Sequence, residues 1–367
     1  MMSNAVASRR IIYIDILRIL SIVAVIVLHI TAPLLTRTND FSTTSWWIGN
    51  VLNSVCRFAV PVFFMISGAM ILRTEVKSIA EFYKKRILPL LVPLVAWSLI
   101  YGLYFQYVIL KSKLGAWEFI LDFGYKLLTD RNYVHLWFLY SIIAIYMTVP
   151  LISKFVKSCS EKDLRYYILL WFLVSVVYQF ASQIKFRLTE QYLDFPSFNI
   201  PFFEEYLGYF ILGYYLFHFE LTPKFKHVLF NIGIASFFLT PVLTYFVSMQ
   251  KGTLDELFYG NYSITSLLTA VALFLYFKDK DASISRRTND KIKIIIRAVS
   301  AASFSIYLIH LLIEMFVAKE IQVDASFLQT TVSLLYNVTT VFLISFVIVK
   351  VLNLNRWVTQ LLFGGRG

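Results

Sequence analysis

Three ionisable side chains interrupt the first long apolar stretch of the chain, and their spacing could support chemistry. Asp15, Arg18 and His29 lie among aliphatic residues. A charge in membrane hydrocarbon costs at least about 2.5–3.5 kcal/mol, so such residues are functional candidates by default. On an α-helix, the step from Arg18 to His29 is about three full turns plus roughly 20°, with a rise of about 16 Å. Asp15 lies about 40° to the other side of His29 by the same geometry. The spacing predicts one polar stripe along a helix.

The two ends of this stripe suit different parts of one reaction. The guanidinium of Arg18 is always charged and can bind two phosphate oxygens at once. The imidazole of His29 is suited to act as a general base. Asp15 can pair with Arg18 across one helical turn. A structural alternative stays open, in which the Asp15–Arg18 pair only joins helices and His29 is hydrogen-bonded within a bundle.

The composition places the stripe in a membrane. Hydrophobic residues make up 58% of the 367 residues and charged residues 15%, and the mean hydropathy is +0.68. A soluble domain has about 45–50% apolar and about 25% charged residues. A soluble globule, a disordered chain and a secreted disulfide scaffold are therefore excluded. The two cysteines, Cys56 and Cys159, are expected to lie too far apart to pair.

Ten segments are long and apolar enough to cross a membrane, which takes about 20 mostly apolar residues. Polar loops too short to hold a soluble domain connect them. We therefore predict an all-α polytopic membrane protein, with about ten transmembrane helices in a single domain over residues 1–367. The ten segments are 11–35, 46–72, 88–110, 134–153, 164–183, 199–218, 227–249, 261–278, 297–318 and 327–352.

The distribution of basic residues predicts the orientation of these helices. The net charge is +12, from 34 Lys and Arg against 22 Asp and Glu. With the N-terminus inside, 23 basic residues fall in inner segments and nine in outer segments, while Arg18 and Arg57 lie within spans. Cytoplasmic loops collect Lys and Arg, so both termini are predicted to be cytoplasmic. The charge excess is then mostly a topology signal, and nucleic acid is not an expected partner.

With this orientation, further polar residues collect in the outer half of the bundle. Arg57 lies some way into the second span, His135 begins the fourth, and His310 and Glu314 lie one turn apart in the ninth. Together with His29, they predict a polar cluster near the outer side. Its remaining members would come from the start of the sixth span, Glu204 or Glu205.

Each member of this cluster also has a simpler interpretation. His135 could be interfacial, His310 could be a packing histidine, and Arg57 could pair with a glutamate across helices. The histidines are too scattered along the sequence to predict a zinc site. We expect no metal.

A basic segment between the second and third spans would lie on the cytoplasmic side. Residues 73–86 contain five basic residues, among them Lys84, Lys85 and Arg86. Such a patch beside the Arg18 end of the stripe would suit a phosphate-rich donor. It would equally suit contact with anionic membrane lipid.

Five motifs in the order of the chain resemble the integral-membrane acyltransferase family 3. The resemblance is strongest to its single-domain branch of polysaccharide O-acetyltransferases and succinyltransferases. The motifs cover nearly the whole chain from the first span to the ninth. They are Tyr13-Ile-Asp-Ile-Leu-Arg18 followed by ten residues and His29, Arg57-Phe-Ala-Val-Pro-Val-Phe-Phe-Met-Ile-Ser-Gly68, Tyr83-Lys-Lys-Arg86, His135-Leu-Trp-Phe-Leu139 with Pro150, and Ser303-Phe-Ser-Ile-Tyr-Leu-Ile-His310.

The resemblance implies an O-acyltransferase in the bacterial cytoplasmic membrane. It implies transfer of an acyl group, by expectation acetyl, from cytoplasmic acyl-CoA to a hydroxyl of a cell-surface polysaccharide or its lipid-linked precursor. His29 carries over as the catalytic histidine, Arg18 as the donor-binding arginine and Arg86 as part of the basic donor loop.

The remaining site residues join this interpretation as follows. Arg57, His310 and Glu314 are assigned to catalysis beside His29, with Arg57 stabilising the oxyanion and Glu314 orienting a histidine. Asp15, Lys84 and Lys85 are assigned to the acyl-CoA donor with Arg18 and Arg86. The acceptor is assigned to His135, Trp137, Glu204 and Glu205.

Two other classes of membrane protein remain as alternatives. A polysaccharide or lipid exporter would also have many spans and buried charges, but it should show related halves, which the sequence does not. A structural subunit would have no need of an aligned Arg18–His29 stripe. Direct transfer and an acyl-histidine relay are both compatible with the residues.

Overall fold

All regular elements of the computed structural model are helices, in the part of the chain that it describes: residues 11–112, 114–130, 133–191, 193, 205–260 and 263–365. Two of the helices continue without a break into π-helical stretches, Tyr104–Ile109 after α5 and Phe172–Val177 after α8. The α-helices are α1 (Ile12–Thr36), α2 (Thr44–Cys56), α3 (Ala59–Ile71), α4 (Ile79–Arg86), α5 (Leu88–Leu103), α6 (Ala116–Leu128), α7 (Trp137–Ser158), α8 (Glu161–Trp171), α9 (Tyr178–Thr189), α10 (Glu205–His218), α11 (Pro223–Lys251), α12 (Ile264–Arg287), α13 (Asp290–Val317), α14 (Phe327–Leu352) and α15 (Arg356–Phe363).

The chain is an all-α, multi-pass integral membrane protein, as predicted. Eight helical stretches in the described residues are long and apolar enough to cross a membrane. They match eight of the ten predicted spans. The other two predicted spans are also helical but do not meet that standard. The sixth predicted span contains α10, whose described part has 14 residues and is too short. The eighth contains α12, which is too highly charged because it includes the run Lys278, Asp279, Lys280 and Asp281.

The short helix α10 packs deep inside the bundle against α3. From Tyr206 to Leu216 it is buried on all sides, as expected for a helix that is apolar all round. Glycines on both helices allow this approach, because a side chain at Gly68 would overlap the backbone of Phe210, and one at Gly213 would overlap the backbone of Met65. Small residues commonly let helix backbones come this close in membranes.

Helix α1, which carries the predicted polar stripe, lies beside α2, α3, α12, α13 and α14. Its first turn is anchored by the Tyr13 backbone N–H, which donates to Asp281 Oδ1 at 2.9 Å. A second contact comes from α13, where the Ser300 hydroxyl donates to Asp15 Oδ1 at 2.6 Å. These contacts fix α1 against α12 and α13 at the end that the basic residues predict to be cytoplasmic, called the inner end below.

At the opposite, outer end, the loop between α11 and α12 is held against neighbouring helices. Arg187 of α9 makes two hydrogen bonds to the buried Asp255 carboxylate, at 2.8 and 2.6 Å. The Tyr259 ring is fully buried in a small cluster that also contains Trp46. We define residues 252–260 as the outer loop. Its two anchors tie it to both α9 and α2.

The two cysteines are free thiols, as expected. Cys56 is buried at the end of α2, and Cys159 is partly exposed directly after α7. No disulfide therefore contributes to this fold.

Candidate active site

The structure brings three histidines from different parts of the chain together. His29 lies on α1, His310 on α13, and His135 in the turn before α7. The ring centroids of His29 and His310 are 5.2 Å apart, those of His135 and His310 5.5 Å, and those of His29 and His135 6.5 Å. This grouping, called the histidine cluster below, is the central part of the outer-half cluster predicted from the sequence.

The three histidines are far apart along the sequence but adjacent in the fold. Even so, no group of three His, Cys, Asp or Glu residues in the described ranges is arranged to hold a metal ion.

The backbone of α13 fixes the ring of His310. Its Nδ1 lies 2.7 Å from the Tyr307 carbonyl oxygen. Because a carbonyl only accepts, Nδ1 must carry a proton, and the neutral ring then has its lone pair on Nε2. Nε2 is buried with no hydrogen-bond partner among the described residues. His310 thus presents a proton-accepting nitrogen to the interior of the bundle.

His135 is buried rather than interfacial, with 1% of its surface exposed. Its backbone carbonyl accepts a short hydrogen bond from the Tyr307 hydroxyl. Its ring packs edge-on against Tyr101 with centroids 5.0 Å apart. Tyr307 therefore contacts two members of the cluster, His135 through its hydroxyl and His310 through its carbonyl.

Tyr101 of α5 inserts its hydroxyl into the backbone hydrogen bonding of α13. It donates to the Leu308 carbonyl at 2.8 Å and accepts from the Leu312 N–H at 3.2 Å. Those two backbone groups are the normal partners of one helical hydrogen bond. The insertion lies beside His310, and it fixes α5 to α13 at the level of the histidine cluster.

Arg57 follows α2 and is held near His29 by a polar network. Its Nε donates to Asn53 Oδ1 at 2.9 Å. Asn53 in turn donates from Nδ2 to the Leu28 carbonyl at 3.2 Å and to Thr31 at 3.1 Å, on either side of His29. Arg57 acts electrostatically on the His29 ring. Asn53 therefore connects the Arg57 guanidinium to the turn of α1 that carries His29.

The outer loop provides the other side of the Arg57 site. Arg57 Nη2 lies 3.5 Å from Glu256 Oε1, and its guanidinium stands 4.2 Å from the centroid of the Tyr259 ring. The pairing with a glutamate that we kept as an alternative thus exists. Its partner is a loop residue, with a side chain that is 60% exposed.

Glu314 lies one turn beyond His310 and is partly buried. Its Oε2 has no hydrogen-bond partner in the described part of the chain. The group that holds His310 Nδ1 is a backbone carbonyl, so the orientation of a histidine by Glu314 stays a prediction. Glu314 acts electrostatically on Tyr101 and Tyr133, which places it near these two rings.

A cavity of about 420 Å³ runs below the histidine cluster. Arg18 and Arg86 line it at the inner end, and Tyr307 lines it next to the cluster. Ser300, the hydrogen-bond partner of Asp15, belongs to its wall. We call this space the donor cavity. Its volume falls within the roughly 300–1,000 Å³ typical of small-molecule sites.

The basic residues of α4 are divided between the donor cavity and the surface. Arg86 is exposed and lines the cavity, so the cavity reaches the surface there. Lys84 and Lys85 are exposed and are not part of the cavity wall, and Lys85 pairs with Glu81 at 2.5 Å. Their assignment to the donor stays a prediction that concerns the rim.

Three of the residues predicted to bind the acceptor have few or no described contacts. Trp137 stacks on the Tyr206 ring with centroids 5.5 Å apart. Glu204 lies outside the described residues, and of Glu205 only its place at the start of α10 is described.

Sequence reasoning missed the tyrosines that organise this site. Tyr307 lies in the motif that ends at His310, one helical turn before it, and that spacing was the available signal. Tyr101 has no comparable signal in the sequence, because its role depends on how α5 meets α13.

The site thus combines, within one helical membrane bundle, a cavity that has two arginines at its inner end and three clustered imidazoles beyond its outer end. The acyltransferase domain model Acyl_transf_3 matches residues 11–351, and the chain belongs to this acyltransferase family. No curated protein and no solved structure matches the chain.

Proposed function

We propose that this acyltransferase is an O-acyltransferase, which moves an acetyl group from cytoplasmic acetyl-CoA to a glycan hydroxyl on the outer side of the membrane. The acceptor is a cell-surface polysaccharide or its lipid-linked precursor. The observation that carries the proposal is the donor cavity, which extends from Arg18 and Arg86 to Tyr307, whose ring lies beside His135 and His310.

The donor cavity supports binding of CoA from the inner side. The CoA phosphates bind Arg18 and Arg86, because guanidinium groups match phosphate oxygens in pairs. Lys84 and Lys85 add positive charge at the rim. The hydrogen bond from Ser300 keeps Asp15 in place on α1, next to the turn that carries Arg18. The pantetheine arm then extends along the cavity toward Tyr307.

The chemistry takes place where the cavity meets the histidine cluster. Neutral His29 removes the proton of the acceptor hydroxyl, and the hydroxyl oxygen forms a bond to the thioester carbon. The tetrahedral intermediate collapses with cleavage of the carbon–sulfur bond. The proton held by the His29 imidazolium passes to the departing CoA thiolate. The products are an ester on the glycan and free CoA.

The charge that develops on the thioester oxygen needs a positive partner in this water-poor site. Arg57 provides one, because its network with Asn53 keeps the guanidinium beside α1 close to His29. Preorganised donors of this kind are worth more in a low-dielectric site than in water. In the resting enzyme Arg57 pairs with Glu256. During transfer the guanidinium would release Glu256 and bind the oxyanion instead.

The test is the ester content of the host's surface glycan. NMR of the glycan from a strain that lacks the gene should show loss of its acyl ester signals, which wild-type complementation restores. Complementation with His29→Ala should lower the rate of ester formation by about 10²–10⁴-fold, so that the ester signals stay lost. His227→Ala is the matched control, since His227 is an exposed histidine on α11. Unchanged ester signals in the deletion strain would contradict the proposal.

An exporter without acyl transfer would give a different result. The deletion strain would then lose the glycan from its surface, while the remaining glycan would keep its esters. The family to which the chain belongs favours transfer.

A further inference from the structure

Three aromatic rings line the outer end of the donor cavity. Phe63 of α3, Phe138 of α7 and Tyr307 of α13 belong to its wall. The ring centroids of Phe63 and Phe138 are 6.0 Å apart, and those of Phe138 and Tyr307 are 5.5 Å apart. The three rings therefore lie next to one another in the cavity wall.

Tyr307 is the member of this wall that also faces the histidine cluster. Its ring centroid lies 5.5 Å from that of His135 and 5.9 Å from that of His310. The side chain is buried, and its hydroxyl is tied to the His135 carbonyl. The Tyr307 ring therefore borders both the cavity and the histidine cluster.

The order of residues along α13 shows which part of a donor meets this wall. Ser300 lies beside Asp15 at the inner end, Phe304 follows one turn later, and Tyr307 and His310 follow in turn toward the outer end. A donor bound through its phosphates at Arg18 extends its acyl end farthest into the cavity. The acyl group is therefore the part that touches Phe63, Phe138 and Tyr307.

We propose that Tyr307 is the specificity-determining residue for the acyl donor, and that its ring limits transfer to short acyl chains such as acetyl. The inference rests on the proposed function, because it assumes that an acyl-CoA occupies the donor cavity. An extra methylene must displace a packed aromatic ring that is held at its hydroxyl, whereas an acetyl group fits against it.

The experiment measures kcat/KM for acetyl-, propionyl-, butyryl- and hexanoyl-CoA in inverted membrane vesicles from the complemented host, by release of the CoA thiol. Wild type should prefer acetyl-CoA. Tyr307→Ala should raise the hexanoyl-to-acetyl ratio of kcat/KM roughly tenfold or more, since one methylene in an apolar pocket changes discrimination by about 10–200-fold. Tyr307→Phe keeps the ring but loses the hydrogen bond to the His135 carbonyl, so its hexanoyl-to-acetyl ratio should lie between those of wild type and Tyr307→Ala.

Phe304→Ala is the matched control, because Phe304 lines the same cavity one turn nearer to Arg18. It should leave the profile of chain lengths unchanged. If Tyr307→Ala is absent from the membrane, Tyr307→Leu replaces it, with the same expected direction. Correct insertion is checked by the amount of full-length protein in the vesicles.

Two results separate this inference from the proposed function. If wild type transfers acetyl and the Tyr307 variants keep its profile of chain lengths, the specificity role is wrong and the proposed function stands. If wild type releases no CoA from any of the four donors, the proposed function fails, and the inference fails with it. An equal change in Phe304→Ala would also overturn the role of Tyr307.

Discussion

The backbone sets the tautomer of His310 in the histidine cluster. Its Nδ1 is committed to the Tyr307 carbonyl, and its Nε2 is buried without a partner among the described residues. An unpaired buried acceptor is costly. The cost is removed when a hydroxyl or a protonated imidazole donates to Nε2. His310 is therefore suited to hold the acceptor hydroxyl, or the proton that His29 removes.

His310→Asn tests this role with little change of structure. The Asn amide can keep the hydrogen bond to the Tyr307 carbonyl, but it has no nitrogen at the place of Nε2. We expect acyl transfer to fall by about 10²–10⁴-fold with normal insertion, as measured by CoA release in vesicles. His227→Asn is the control, because His227 Nδ1 makes the same bond to the Pro223 carbonyl at 2.7 Å on an exposed face. Wild-type rates in His310→Asn would show that the ring only packs.

The sequence predicted those site residues whose burial in the membrane costs free energy and therefore needs a reason. Arg18, His29 and His310 stand out because an ionisable residue in an apolar span needs a reason, and all three border the site. The contacts of Arg57 with Glu256 and Tyr259 could not be predicted, because they join the end of α2 to a loop about 200 residues later.

Among the elements, the pair α3 and α10 places the outer wall of the donor cavity. Phe63 lies on α3, one turn before Gly68 and its contact with α10. Separation of the two helices would move Phe63 and open the cavity. The glycines at this contact are therefore part of the site's construction.

Gly213→Ala should weaken this contact. The added methyl overlaps the Met65 backbone, which cannot shift cheaply, and overpacking of this kind costs about 1–3 kcal/mol. We expect a lower melting temperature in detergent and reduced transfer. The matched control is Gly124→Ala on α6, where a methyl meets nothing within 4 Å. That variant should gain up to about 1 kcal/mol of helix propensity. Equal melting temperatures in the two variants would contradict the packing account.

The outer loop is a second element that the site depends on, and it should open in acid. Burial acts to raise the pKa of Asp255, but hydrogen bonds from Arg187 and the Leu257 N–H outweigh burial and hold the pKa below its usual value. A carboxyl with a lowered folded pKa stabilises the fold above its unfolded pKa, about 3.9. That stability is lost as the pH falls through the folded pKa.

We therefore expect hydrogen exchange in residues 252–260 to accelerate as the pH is lowered below about 4, after correction for the intrinsic pH dependence of exchange. Asp255→Asn should exchange quickly already at neutral pH. Glu256→Gln, next to it, should keep the acid transition because the Arg187–Asp255 pair remains. An acid transition that survives in Asp255→Asn would assign it to another group.

The helices themselves were predictable from hydropathy, but their inner geometry was not. The first span was predicted at 11–35 and is observed at Ile12–Thr36. The π-helical stretches after α5 and α8 have no counterpart in the hydropathy pattern, because they depend on local backbone packing. The same holds for α10, which sequence treats as an ordinary span and the structure buries on all sides.

For the whole molecule, the account needs a donor from the inside and an acceptor from the outside. The basic residues predict which side is which, and the structure then places Arg18 and Arg86 at the inner end of the donor cavity and the outer loop beside Arg57. In the proposed function, the histidine cluster between them is where the acyl group passes from the donor to the acceptor.

Cys159 tests this orientation, because it is a partly exposed thiol at a predicted cytoplasmic position. A membrane-impermeant maleimide should label it in inverted vesicles and not in right-side-out vesicles. Burial raises the pKa of the Cys159 thiol, and the Asp163 carboxylate adds to the effect, so labelling should be slow at pH 7 and increase at alkaline pH. The buried Cys56 should stay unlabelled in both preparations, and Cys159→Ser should abolish the signal. Labelling of Cys159 from the outer side would invert the topology.

The most direct measurement of the central claim follows a radiolabelled acetyl group in inverted vesicles from the complemented host, with acetyl-CoA supplied outside. We predict that free CoA appears outside and that the label becomes bound to glycan inside the lumen. Both should be lost in His29→Ala and kept in His227→Ala. Label that stays outside, or normal transfer by correctly inserted His29→Ala, would contradict a route from the donor cavity through the histidine cluster.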